Sequence, residues 1–469
     1  MRSFLLFLVV FGSLTVNSQN TWDLQQCVDY ALKHNISIQQ AEINTQISKN
    51  NTLQSKANIL PTLNAGAAHT YNFGRTIDRY TNTFANTQVL SQNFYVSSNF
   101  VLWSGFSQYN NIKANEYGYM SSVETVKQQR NDLSINVATA YINVIYTDEY
   151  LKIAKNQFDI TKQQLERTQV LADAGNLAVS AVYDIKAQLA NEEVNVITAD
   201  NNYQIAMLTL RQLMNLDSLS NFNVQKPDID VQSATLAANS VQNIYETALK
   251  NQPSIKSAEY NVIKAEKSLA AARGRYSPTL SMTGSIGTGY SGLAKNIKAV
   301  NIIGYDTTAI TSGGQYVFSP KTEVITEPKP FTDQFKDNVN KSVGFTLSIP
   351  LFNGLNTYTS VKNSQLNALN AKFSQDLAQQ NLYKVIAQAY ANARAALNKY
   401  VASKSSVEAN QQSFNYAQQK FSVGAISAFD FNQAKTRLAS AQSTLLQSKY
   451  DYLFKLKVLD FYQGKTLTF

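Results

Sequence analysis

The sequence predicts an α+β membrane protein with an internal duplication, in which amphipathic β-strands alternate with very long coiled-coil helices. Three observations support this fold class. The interval between Gly354 and Gly424 contains no other glycine and no proline. Just before it, residues 342–351 alternate between polar and apolar, which is typical of a β-strand with one apolar face. The same arrangement occurs earlier in the chain, where Gly105 and Gly175 bound an interval of equal length with a single internal glycine.

The glycine-free interval predicts a long helix with an apolar seam. Apolar residues recur in it every seven residues, which is the repeat of a coiled coil. These positions are Ile386, Ala393, Tyr400, Val407, Phe414 and Phe421. The equivalent positions of the first interval, 249 residues earlier, are also apolar: Val137, Val144, Leu151, Phe158, Leu165 and Ala172. At 1.5 Å per residue, such a helix is about 100 Å long. We expect long helices at 106–172 and 356–421, each followed by a return helix, at 181–214 and 428–461.

The duplication divides the chain into repeats. Ala31-Leu32-Lys33 recurs as Ala248-Leu249-Lys250, which marks a second start of the same plan. The predicted divisions are a signal peptide at 1–18, a first repeat at 19–215, a linker at 216–240 and a second repeat at 241–469. The signal peptide is inferred from Arg2, a short apolar run and small or polar residues up to Ser18.

Four stretches have the alternation expected of transmembrane β-strands, with one face toward lipid and the other toward water. A β-layer packed on a soluble core would show the same apolar face, but export and aromatic residues near the strand ends favour the membrane. The residues predicted to face lipid are Leu63, Phe73, Phe94, Phe100, Leu280, Ile286, Phe345, Leu347 and Ile349. The loop at 291–340, rich in Gly, Thr, Lys and Pro, is predicted to be a mobile surface segment.

Four strands cannot close a barrel, and an open strand edge is not tolerated in lipid. The chain is therefore expected to assemble with copies of itself. Two copies would give eight strands and a nearly filled interior, whereas three would give twelve strands and a water-filled bore. Strand physics requires at least two copies, and a conduit favours three. The helices of three copies would pack as a tube, an α-barrel, with the tips at Gly175 and Gly424 farthest from the membrane.

Composition argues against several other functions. The net charge is +9, but lysine and arginine are dispersed without a basic run, so we expect no nucleic-acid partner. His34, His69 and Cys27 form no spacing typical of a metal or nucleophile site, and no phosphate-binding glycine loop occurs. We predict no catalytic residue, no metal, no cofactor and no enzymatic activity.

Taken together, the order and spacing of these elements resemble the TolC-like outer-membrane efflux and secretion channel family. Leu-Trp-Ser-Gly ends at Gly105 and Leu-Phe-Asn-Gly ends at Gly354, while the tips are Asp173-Ala174-Gly175 and Phe421-Ser422-Val423-Gly424. The resemblance implies a homotrimer with a twelve-stranded barrel in the outer membrane of a Gram-negative bacterium and a helical tunnel in the periplasm. It would be the exit duct of a tripartite efflux pump or a type I secretion system.

In such a system the duct meets a periplasmic adaptor protein and, indirectly, an inner-membrane pump. The alternative is a non-conducting structural or adhesive outer-membrane protein built on the same coiled coils. In this alternative the loop at 291–340 would be the surface element. Surface labelling of that loop in a protein that still conducts through its lumen would count against the alternative.

The resemblance also implies a periplasmic gate formed by the second pair of helix tips. Asp430 matches one acidic gate position, and Gln433 stands at a second. Ile426 and Phe421 replace an arginine and its tyrosine partner, so closure around Gly424 is expected to be more apolar than in the best-known members. Asp430 alone could equally be an acid that stabilises a helix N-terminus. The expected adaptor-docking residues at the tips are Asp173, Gly175, Asp184 and Gly424.

Overall fold

The computed structural model describes residues 21–86, 88–217, 222–226 and 240–465. The predicted signal peptide lies outside these residues, and most of the predicted linker does as well. The nine helices of the described residues are α1 Leu24–His34, α2 Ile36–Ala57, α3 Ser107–Asp173, α4 Val179–Met214, α5 Val241–Asn251, α6 Pro253–Gly274, α7 Phe331–Asp337, α8 Asn356–Ser422 and α9 Ala428–Tyr462. The ten strands are β1 Thr21–Trp22, β2 Thr62–Asn72, β3 Thr76–Asp78, β4 Thr83–Ala85, β5 Val89–Trp103, β6 Asn223–Val224, β7 Thr279–Ser291, β8 Lys295–Ile310, β9 Tyr316–Pro328 and β10 Asn340–Ser348.

The helices repeat as the duplication in the sequence predicts. Helices α1 and α5 each have 11 residues, and α2 and α6 each have 22. Helices α3 and α8 each have 67 residues, in agreement with the two equal intervals between glycines. Asp23 begins α1 with a capping box, in which its carboxylate accepts from the backbone of Gln26 and the Gln26 side chain accepts from the backbone of Asp23.

The chain divides into two compact units. The first comprises the described parts of residues 1–48, 117–262 and 370–469. Its largest apolar core joins α1, α3, α4 and α9 around Val137, Tyr141 and Leu210, and the hydroxyl of Tyr141 donates to the backbone oxygen of Gln225. A second core joins α5, α6, α8 and α9 around Ile255 and Ile386. In both cores the predicted heptad seam is the buried face.

The second unit comprises residues 49–116 and 263–369 and contains most of the strands. Strands β10, β7, β5 and β2 form one antiparallel sheet in that order. The segment predicted to be a mobile loop at 291–340 is instead the β8–β9 hairpin followed by α7. The hairpin has no buried face, and register shifts at Ile297/Ala299, Ile302/Gly304 and Thr307/Ala309 interrupt its alternation, so the period-two signal of a strand is absent.

Candidate functional site

The four-stranded sheet has one apolar and one polar face, as its register establishes. Phe94 pairs with Ala67 and Thr288, and Phe345 pairs with Met282, so these side chains share one face. Paired residues of antiparallel strands point to the same side of the sheet, and successive residues alternate. The alternation read from the sequence therefore describes one continuous surface across all four strands.

Most of the residues predicted to face lipid lie on this apolar face. The seven inside the strands are Leu63, Phe94, Phe100, Leu280, Ile286, Phe345 and Leu347. Phe73 and Ile349, which were predicted to be strand residues, instead fall one residue beyond the ends of β2 and β10. Phe94 is packed against the rings of Phe331 and Phe335 of α7, whereas Leu63, Phe345 and Leu347 are exposed. Large exposed apolar surfaces of this kind mark contact with lipid or with another protein.

The polar face is uncharged. In the described strands, the residues on this face are serine, threonine, asparagine, glycine and a few apolar or aromatic residues. No Asp, Glu, Lys or Arg of these strands lies on it. Ser285 and Ser342, on β7 and β10, are joined by a hydrogen bond of 2.7 Å between their hydroxyl groups. A surface of hydroxyl and amide groups is wettable but exerts little electrostatic preference on a passing solute.

The two helix tips have the same backbone turn. Gly175 and Gly424 both have left-handed φ angles, +72° and +74°. The amide of Asn176 donates to the oxygen of Leu171, and the amide of Ala425 donates to that of Lys420. This bond, from the third residue after the helix to a backbone oxygen in its last turn, defines a Schellman motif. Glycine is needed at both positions because its missing Cβ permits the left-handed conformation.

The residues predicted to form the gate lie around the α8–α9 tip, but they differ in their surroundings. Phe421 stacks on Phe431 with 4.9 Å between ring centroids, and Ile426 packs against the same cluster. The backbone amide of Asp430 donates to the hydroxyl of Ser427, and that hydroxyl also lies 2.7 Å from the Asp430 carboxylate. Asp430 therefore lies at the start of α9 and bonds to its cap residue, as expected if it stabilises the helix N-terminus. Its side chain is nevertheless exposed.

The remaining gate and docking residues are on the surface of the first unit. Gln433, Asp173 and Asp184 are exposed, and the side-chain amide of Gln169 donates to Asp173 over 2.8 Å. The guanidinium of Arg167, near the end of α3, donates to the backbone oxygen of Ser422 at the end of α8 over 3.3 Å. This contact brings the two tips of the chain next to each other.

A buried lysine lies close to these tips and was not identified from the sequence. The Lys435 ammonium group donates to the backbone oxygen of Gln157 at 2.9 Å and to the hydroxyl of Thr161, and it is 3.6 Å from the Glu192 carboxylate. Burial lowers the pKa of Lys435, while the charge of Glu192 opposes that shift. Lys435 on α9 is thus bonded to α3 and paired with α4.

Near Lys435, the buried seam of α3 changes from apolar to polar side chains. The heptad positions predicted there, Phe158 and Leu165, are half-buried, and the most buried side chains are polar. These buried polar residues are Gln157, Thr161, Gln164 and Thr168. A sequence search for apolar periodicity overlooks them, although their spacing of four, three and four residues is itself that of a seam.

Two features are absent from the described residues. No group of three or more His, Cys, Asp or Glu side chains in them is arranged to hold a metal ion. Within the same residues, no helix has an apolar stretch long enough to cross a bilayer.

Comparison with known proteins assigns the family. The outer membrane efflux protein family matches residues 27–216 and 244–465. The chain belongs to the outer membrane efflux protein family. It is 25% identical over 413 residues to the outer membrane protein TolC of Escherichia coli strain K12, covering 85% of this chain and 73% of TolC. It is 23% identical over 354 residues to the cation efflux system protein CusC of the same strain, covering 73% of this chain and 66% of CusC.

Solved structures share the fold. A crystal structure of CusC superposes with a TM-score of 0.77 at 17% identity, covering 94% of this chain and 92% of that one. The outer membrane protein VceC of Vibrio cholerae gives 0.74 at 15% identity, covering 95% and 96%. The predicted resemblance, the outer-membrane location and the role as an exit duct are confirmed by the family assignment. The family consists of efflux channels, which are conduits and not enzymes.

Proposed function

We propose that three copies of the chain close a twelve-stranded barrel and that this barrel is the outer part of the duct. The supporting observation is the sheet order β10-β7-β5-β2, which leaves β10 and β2 as edges without partners in the described chain. An unpaired edge exposes backbone donors and acceptors, each of which costs several kcal/mol in hydrocarbon. Pairing β2 of one copy with β10 of the next would satisfy both edges.

Three copies fit a conduit better than two. Eight strands leave an interior that side chains nearly fill, whereas twelve leave room for water and solutes. The uncharged polar face would line the bore, and exposed Phe345 and Leu347 would contact lipid. The long helices α3, α4, α8 and α9 of the three copies would form the periplasmic α-barrel.

The helix tips are the proposed contact with a periplasmic adaptor protein, through which an inner-membrane pump would deliver cargo. Asp173, Gly175, Asp184 and Gly424 are the proposed docking residues. Their exposure and the matched Schellman turns support this role, because both tips present the same backbone shape to a partner. An uncharged bore would add little selection by charge, so the chemical choice of cargo is assigned to the pump.

The α8–α9 tip of each copy would also form the gate. Three copies of Asp430 would make an acidic ring that attracts cations, with Gln433 beside it. Phe421 and Ile426 would keep each tip closed by apolar packing within the chain, since they occupy the Phe431 cluster. The Ser427–Asp430 bond supports the capping role, and the two roles are compatible because capping leaves the carboxylate exposed.

Single-channel recording in planar bilayers tests the duct and the ring separately. The purified protein should conduct, and trivalent cations added on the tip side should block the current. In the Asp430→Asn variant the block should weaken, because the ring loses its charge. Asp184→Asn is the matched control and should retain the block. A protein that adds no conductance would contradict the duct, whereas an unchanged block in Asp430→Asn would contradict only the ring.

A further inference from the structure

A segment between β2 and β5 lies on the polar face of the sheet. We name residues 76–85, which comprise β3, β4 and the turn between them, the strap. The hydroxyl of Tyr80 in the strap donates to the side-chain oxygen of Asn93 at 3.3 Å. A Cβ atom built on Gly289 would lie 1.8 Å from that hydroxyl oxygen. Asn93 and Gly289 are register partners, and both have the orientation of the polar face. Tyr80 therefore extends over this face.

The strap is held there by a buried carboxylate. Asp78 is 3% exposed, and its Oδ2 accepts from the hydroxyl of Ser291 at 2.5 Å and from that of Thr81 at 2.7 Å. Its Oδ1 accepts from the backbone amide of Tyr80 at 3.2 Å. Hydrogen bonds to an ionised carboxylate are roughly twice as strong as those between neutral groups. The strap is thus fixed to β7 by Ser291, which belongs to the polar face as well.

The opposite face is covered at the same level. Phe331 and Phe335 of α7 contact Phe94, and the hydroxyl of Thr288 donates to the backbone oxygen of Phe335 at 2.7 Å. Phe94 directly follows Asn93 in the sequence, and Thr288 directly precedes Gly289. These contacts of α7 therefore lie at the same level along the strands as Tyr80. At this level the sheet has protein on both faces. In the proposed barrel, this would be the end of the sheet outside the lipid, and the strap would lie on its inner side.

We propose that the strap narrows the outer mouth of the duct, and that Tyr80, seated over Gly289, limits the size of the cargo that leaves. This inference rests on the proposed function, because it requires the polar face to line the bore. Glycine is needed at position 289 because a Cβ there would overlap the Tyr80 ring and would also lie 2.5 Å from the backbone oxygen of Gln92. Tyr80 and Gly289 are then determinants of the size of cargo that passes the outer mouth of the duct.

A thiol reporter placed deeper on the polar face tests the proposal without depending on the gate. Asn99→Cys lies on the same face of β5 as Asn93, about 20 Å further along the strand at 3.3 Å per residue. The native Cys27 is fully buried, and burial raises its pKa to about 12, so it contributes no background reaction. Intact cells are treated with a small maleimide and with a bulky polymer-linked maleimide that the outer membrane excludes.

In the Asn99→Cys chain the small maleimide should react and the bulky one should react slowly. Adding Gly289→Ala should raise the rate of the bulky reaction by about tenfold or more, because Tyr80 is displaced and the mouth widens. Gly284→Ala is the matched control, since it lies on the same strand with the opposite orientation and a Cβ there meets no atom closer than 4.0 Å. It should leave both rates unchanged. Tyr80→Ala should reproduce the effect of Gly289→Ala.

Equal bulky-reagent rates in the parent, Tyr80→Ala and Gly289→Ala chains would overturn the strap proposal while leaving the duct intact. If Gly289→Ala does not reach the outer membrane, Tyr80→Ala decides the question alone. If the small maleimide fails to label Asn99→Cys in every background, the polar face is not in water. That result would contradict the proposed function itself.

Discussion

The two helix tips are duplicates with the same turn but different interiors. Helices α4 and α9 are counterparts in the two repeats, and Gly175 and Gly424 before them have nearly identical conformations. The α8–α9 tip encloses Phe414, Phe431 and Leu438. At the equivalent depth, α3 buries polar side chains such as Thr161 and Thr168. The α8–α9 tip is held by an apolar core, whereas α3 buries a polar seam, in which the hydroxyl of Thr161 and the backbone oxygen of Gln157 accept from Lys435.

The same contrast applies to single positions. Ser427 caps α9 with its hydroxyl, whereas its counterpart Ala178 begins α4 with no side-chain cap. Lys435 is buried against α3 and α4, whereas its counterpart Lys186 is exposed. The duplication preserved the backbone plan while the two copies acquired different packing. This divergence is what we expect if the two tips have different tasks, as in the proposed gate.

The largest expected effect is at the buried lysine. Lys435→Met should destabilise the tip region by about 4 kcal/mol, because removing one partner leaves the Glu192 carboxylate buried without its ammonium group. Hydrogen exchange of tip amides in the detergent-solubilised protein measures this loss. Lys186→Met removes the exposed counterpart and should change exchange very little. Similar effects of the two substitutions would mean that burial does not distinguish the lysines.

Removing the aromatic centre of the second tip should be nearly as costly. Phe431→Ala deletes a ring that contacts both Phe414 and Phe421, and we expect a loss of about 3 kcal/mol. Val182→Ala at the equivalent position of α4 removes less apolar volume, with an expected loss of about 1.5 kcal/mol. The same exchange measurement compares them. A larger loss from Val182→Ala would reverse the assignment of the apolar core to the α8–α9 tip.

The buried lysine should also give the tip a pH dependence. Burial lowers its pKa, so between that lowered pKa and the ordinary value of 10.5 the unfolded chain binds more protons than the folded one. Stability should therefore rise with pH in this window, by at most about 1.4 kcal/mol per pH unit. The rise is measured as the difference in the free energy of unfolding between wild type and Lys435→Met at each pH. The titration of the buried tyrosines contributes equally to both proteins and cancels in this difference. A difference that falls with pH would contradict the direction of the shift.

The helix caps should give the smallest effect. Ser427→Ala removes the hydroxyl that accepts from the Asp430 amide, and should cost about 1 kcal/mol. Ala178→Ser introduces a cap where α4 has none and should stabilise that helix start by a similar amount. Thermal unfolding monitored by circular dichroism can compare the two variants. Two shifts in the same direction would show that the tips are capped alike.

The sequence was sufficient for the regular parts of the fold. The long helices were predicted within two residues, because glycine punctuation and the heptad period are strong local signals. The β8–β9 hairpin was missed because both of its faces are exposed and its register shifts break the alternation. The strap was missed because Asp78 and Ser291 meet only after the sheet has formed, although they are far apart in sequence.

The site was only partly predictable for the same reason. Alternation identified the apolar face, since every second residue of a strand shares one side. It could not show that α7 covers Phe94, because that contact depends on a separate element. Lys435 and Lys186 occupy equivalent positions of duplicate helices, so no local pattern distinguishes the buried lysine from the exposed one. The roles of Asp430 and of the docking residues stay predictions.

The central claim is that one chain supplies an incomplete wall, and disulfide linkage of its two open edges tests this most directly. Asn64→Cys on β2 is combined in turn with Ser342→Cys, Gly344→Cys and Thr346→Cys on β10, which samples the unknown register between copies. After oxidation in the membrane, denaturing electrophoresis should show a ladder of covalent species that ends at three chains. Disulfides confined to single chains, or a ladder that ends at two, would contradict the account.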